Sequence, residues 1–193
     1  MLKMTRRIGR LSGLIAAGVA IVGTGSGVMA ASYSAFNATT ANAANSWNTG
    51  SVVLTNDAAS ALFTGANQQM NATGTQCIKV TSNGSLATTV KLYSTAFSDT
   101  NSLGSHIQLT ISMGTGGGNA SCTGFSGSAI YTGTLAGFNT AYPTSYTNGL
   151  LTGWTPTGTP GEAKTFQFAW SYDSTAPQSS TATDTFTWEA QGS

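Results

Sequence analysis

Few side chains in this 193-residue sequence can do chemistry, and their spacing says as much as their number. It has one histidine, His106, whose nearest carboxylate in sequence is Asp99. A catalytic zinc needs about three protein ligands with histidine foremost and a general base beside them, as in H-E-x-x-H. Nothing around His106 follows that pattern. Ser-His-Asp chemistry would have to recruit His106 with Asp99 or Asp173, and the sequence has no G-x-S-x-G elbow. Glycoside hydrolysis needs two carboxylates, which six acidic residues leave formally open, and Glu189 lies in a terminal strand where the neighbouring Trp188 could line a groove. Gly114 to Gly118 (GTGGG) lacks the lysine and following helix of a phosphate loop. The expectation is no catalytic residue, no metal ligand and no cofactor, with His106 a polar residue at a strand entrance.

Two further residue types carry structural or binding chemistry. Cys77 and Cys122 are the only cysteines, and an even count in an exported chain argues for one disulfide between them. Among the four tryptophans, Trp170 and Trp188 alternate with phenylalanines and read as core. Trp154, in the loop Gly153-Trp154-Thr155-Pro156, is expected to be an exposed aromatic on which a sugar could stack.

Export itself is read from the N-terminus. A basic stretch with Lys3, Arg6, Arg7 and Arg10 precedes an apolar run from Leu11 to Val22 and then small residues, the order of a secretory signal peptide. Cleavage after Ser34 or after Ala30 satisfies the small-residue rule. Removing residues 1–34 leaves Lys79, Lys91 and Lys164 against six carboxylates, a net charge of −3. Nucleic acid is excluded as a partner, because phosphate neutralisation needs lysine and arginine. The C-terminus, Glu189-Ala190-Gln191-Gly192-Ser193, has no sorting tail, so the mature chain is expected to be released or held by partners at the surface.

The elements that must position these residues follow from composition and period. Only 7% of residues are charged, while 32 Thr, 23 Ser and 24 Gly supply a hydroxyl-rich surface and 40% are hydrophobic. Such a chain folds, and threonine with glycine favours strands and turns over helices. Strands are expected at 51–56, 76–81, 86–93, 107–113, 128–135, 165–172 and 183–190. Ile107, Leu109, Ile111 and Met113 share one face, as do Phe166, Phe168, Trp170 and Tyr172. Turns are expected at Asn83-Gly84-Ser85, at Gly114 to Gly118 and at Thr155 to Gly161, with one weak helix over Ala58 to Phe63. The spacing predicts an all-β, single-domain β-sandwich over residues 50–193 with jelly-roll-like connectivity.

Three segments in order resemble the TasA/camelysin (CalY) family of secreted Gram-positive matrix proteins. Ala35-Phe36-Asn37 with Ser46-Trp47-Asn48-Thr49-Gly50-Ser51-Val52-Val53-Leu54 is similar to the family's mature start. Ile78 to Leu86 (IKVTSNGSL) with Val90-Lys91-Leu92 is similar to its strand, N-G-S-L turn and returning strand. Phe166-Gln167-Phe168 and Phe186-Thr187-Trp188-Glu189-Ala190 are similar to its last two strands, and Gly104-Ser105-His106-Ile107 to a G-x-H-I strand opening. The chain departs from the family at Asn71 to Thr75, in its uncharged surface and in its cysteine pair. The resemblance implies a jelly-roll subunit of biofilm-matrix fibres, located in the extracellular matrix or at the cell surface. It also implies cleavage by a SipW-type signal peptidase, which favours the cut before Ala35, and some members are labelled metalloendopeptidases.

Fibre growth in that family is attributed to donor-strand complementation, and the residues here suit it. The segment Ala35-Phe36-Asn37-Ala38-Thr39-Thr40 opens an uncharged stretch, 35–49, that is free of proline and could add to a sheet edge. The expected partner is a second copy of the chain, with matrix or cell-surface components, including polysaccharide, as further candidates. The alternative function is a secreted carbohydrate-binding module.

Overall fold

The computed structural model describes residues 49–62 and 69–192. Alternating side chains build the strands β1 (Leu54–Asn56), β2 (Thr73–Ser82), β3 (Thr88–Asp99), β4 (Ile107–Thr115) and β5 (Ser126–Thr134). After a helix α1 (Leu135–Ala141) come β6 (Leu150–Leu151), β7 (Glu162–Tyr172) and β8 (Ala182–Gly192). They form an all-β sandwich of two antiparallel sheets, one ordered β1-β2-β7-β4-β5 and the other β6-β3-β8.

The period-2 pattern sets what lies between the sheets. Ile78 and Val80 of β2, Leu109 and Ile111 of β4, and Phe166 and Phe168 of β7 meet Val90 and Leu92 of β3 in one core. Phe186 and Trp188 of β8 close it, their rings 4.7 Å from Phe168 and 5.3 Å from Phe166 respectively. The expected strands are present, most of them longer at one or both ends than periodicity alone suggested; the first is shorter, beginning at Leu54.

Two local expectations are corrected. Residues 58–62, where a helix was expected, are not helical, and Phe63 lies outside the described residues. The helix instead forms at Leu135–Ala141, where Thr134 caps it by accepting from Gly137 N at 3.0 Å. Burial of Leu135 and Phe138 holds it there, with the Phe138 ring 5.0 Å from Tyr131 and 5.5 Å from Phe186. Gly114 and Thr115 belong to β4, so the turn starts at Gly116.

The cysteines are paired: Cys77 and Cys122 form a disulfide with their Cα atoms 5.3 Å apart. Cys77 projects from the outer face of β2, opposite Ile78, so the bond ties the β4–β5 connection across the outside of the larger sheet. Gly116 and Gly117, at φ of 78° and 68°, make the turn that starts this crossing. Asp57 pins the same connection, since its carboxylate accepts from Lys79 N at 2.8 Å and from Asn119 N at 2.9 Å.

Candidate assembly groove

Trp154 is not the exposed aromatic that its glycine- and proline-flanked context suggested; it is 4% exposed. The segment 150–156 runs extended along β3, with Val90 N donating to Trp154 O at 3.0 Å and Thr88 N to Pro156 O at 3.0 Å. Pairing imposes period 2, so Leu150, Thr152, Trp154 and Pro156 are buried while Leu151, Gly153 and Thr155 are exposed. The buried Thr152 hydroxyl donates to Val90 O at 2.7 Å and accepts from Trp154 N at 3.2 Å. Residues Ala35 to Thr40 lie outside the described residues.

His106 meets Asp173 rather than Asp99. Its Nδ1 lies 3.1 Å from both Asp173 oxygens and 3.2 Å from the Thr175 hydroxyl. The Thr175 hydroxyl and amide, each donating to Asp173 at 2.8 Å, and then His106, hold that carboxyl below the usual aspartate range. The described residues bring no three metal-ligating side chains together. Glu189 faces outward on β8 and accepts the phenolic proton of Tyr93 at 2.7 Å across the ladder. That bond to Glu189, with burial and the carboxylate's charge behind it, pushes the Tyr93 phenol up to about 12.

The most extended recess follows β8. This strand pairs with β3 on one side; along its other side no strand of the described residues pairs with it. Between that edge and the larger sheet, a cavity of about 500 Å³ is lined by Leu103, Ile107, Leu109, Trp170 and Phe186. It passes Asp184 into a recess of about 300 Å³ beside Ala58, Leu62 and Ile78, then into one of about 200 Å³ under Leu54, Val80 and Trp188. The result is an apolar groove along residues 182–188 of β8, walled on the far side by β1 and the chain that follows it.

Asp184 is the residue that sequence reasoning missed. The alternation Thr183-Asp184-Thr185-Phe186-Thr187-Trp188 puts it on the apolar face with Phe186 and Trp188, a carboxylate where the pattern calls for a hydrophobe. It sits where the β3–β8 register shifts between Thr95 and Ser98, and Ala96, at φ 56°, supplies the left-handed residue of that bulge. Its Oδ1 accepts from the Ser94 hydroxyl at 2.6 Å and from Thr185 N at 2.8 Å. Burial nevertheless pushes its carboxyl above the usual aspartate range, with those two bonds acting in the opposite sense.

Compared with known proteins, the sequence matches no family model and no curated protein.

Proposed function

We propose that the protein is a secreted structural subunit that polymerises into extracellular filaments, in the manner of the TasA/camelysin family, with no catalytic role. The N-terminal segment 35–49, freed by signal cleavage, enters the β8 groove of the next copy and completes its smaller sheet. The observation that carries this is the β8 edge itself, unpaired by any described strand and bordered by an apolar groove seven residues long. An edge of this kind is a template for another strand, which gains backbone hydrogen bonds along its length and side-chain pockets at every second residue. A surface with few charges lacks the usual guards against such pairing. The disulfide suits an oxidising, extracytoplasmic location. The sugar-binding alternative loses its anchor with the burial of Trp154.

Negative-stain electron microscopy of the processed protein over a concentration series tests the proposal. Regular unbranched filaments are expected. A protein that stays monomeric at every concentration and instead binds a polysaccharide column would overturn it.

A further inference from the structure

Two residues that line the groove each carry a buried side-chain atom without a hydrogen-bond partner: Asp184 Oδ2, an acceptor, and Trp188 Nε1, a donor. They lie on the same face of β8, four residues and therefore roughly 13 Å apart, with the Phe186 ring between them. Buried polar atoms in native proteins are almost always paired, so an acceptor and a donor left open in one groove describe the complement they lack. That complement is a strand with polar side chains at positions i and i+4 and a small apolar one at i+2, where Phe186 occupies the space. Within residues 35–48 (AFNATTANAANSWN) only Asn42, Ala44 and Ser46 meet that pattern.

We propose that Asn42 and Ser46 of a second copy set the register of the incoming strand. Asn42 Nδ2 donates to Asp184 Oδ2, and Ser46 Oγ accepts from Trp188 Nε1. This rests on the filament proposal and specifies its contact. Phe36 fixes the direction. In an extended strand it shares a face with Asn42 and Ser46, and only a strand running parallel to β8 carries it past Asp184 toward the Ala182 end. Six residues before Asp184 it stands level with Gln178, where a cavity of about 610 Å³ is lined by Leu103, Tyr172, Ala176 and Pro177. The opposite direction would carry Phe36 beyond Ala190, past the groove. An uncharged segment also suits the site, since a carboxylate facing Asp184 would be repelled and the neutral amide of Asn42 is not. With Phe36 to Ser46 seated, Trp47 and Asn48 remain to connect the strand to the domain of its own copy.

The test uses processed full-length chains and reads the critical concentration for filament growth at neutral pH. Asn42→Asp sets a second carboxylate against Asp184 and is expected to raise that concentration about tenfold or more. Mixing Asn42→Asp with Asp184→Asn chains is expected to restore growth relative to Asn42→Asp alone, because each altered segment then meets a neutral groove. Asp184→Asn is not expected to rescue Ser46→Asp, which faces Trp188. Growth indifferent to Asn42→Asp, rescue only when both changes lie in one chain, or rescue of Ser46→Asp by Asp184→Asn would each overturn the proposal. Failure of the processed wild-type chain to assemble would instead overturn the filament proposal, and this contact with it.

Discussion

Ser94 on β3 donates its hydroxyl to Asp184 Oδ1 on β8 at 2.6 Å, fastening a carboxylate into the apolar side of the sandwich. Burial still outweighs this bond and raises the Asp184 carboxyl above the usual aspartate range. A carboxyl whose folded value exceeds its unfolded value binds protons more tightly in the native state. Stability therefore falls as pH rises through the window just above the ordinary aspartate value. Denaturant melts of the unassembled protein across that window should show this loss, and Asp184→Asn should flatten it. An unchanged slope in the variant would contradict the burial of this carboxyl.

Tyr93 and Glu189 give a second titration, far from the first. Burial also raises the Tyr131 and Tyr172 phenols, but with its own pushed up to about 12 Tyr93 should ionise last, visible as the final step in the ultraviolet absorbance. The stability from this bond is complete below the ordinary tyrosine value of about 10 and is lost as pH rises toward 12. Glu189→Gln should bring the late step down toward about 10. A single tyrosine transition in the native wild-type protein would refute the contact.

The disulfide closes 45 residues of chain, which in the chain-entropy account stabilises by about 4 kcal/mol. Reduction should lower the Tm by roughly 10 °C in a domain of this size. Alkylation of the unfolded chain without prior reduction should add no mass. Two alkyl groups would exclude the bond.

Trp154→Ala should cost about 3–5 kcal/mol, the usual penalty for emptying a buried aromatic site. An exposed sugar-stacking residue would instead give a loss of polysaccharide binding with a change under about 1 kcal/mol.

The long strands were legible because β4 and β7 alternate without interruption: Ile107, Leu109 and Ile111, then Phe166 and Phe168, all turn inward as the period requires. Trp154 was not legible. Gly153, Thr155 and Pro156 have turn composition, and only pairing with Val90 and Thr88 of β3, a tertiary contact, makes the segment extended. The helix at Leu135–Ala141 was hidden by its length, for seven residues containing Gly137 and Thr140 have little intrinsic helicity and depend on the Thr134 cap and the burial of Phe138. Asp173 beside His106 is 67 residues away in sequence, so no local motif could announce it. The groove left one trace, Asp184 on an apolar face. Recognising it required the partner strand β3 with Ser94 and the absence of a described strand on the other side.

A cryo-electron microscopy reconstruction of the filament measures directly whether the N-terminal segment of one copy occupies the β8 groove of the next. The expected result is an added strand beside residues 182–188 of β8, traceable to residues 35–48 of the neighbouring subunit, with Phe36 in the cavity near Leu103. A filament in which the β8 groove is empty, or is filled by the subunit's own chain, would contradict it.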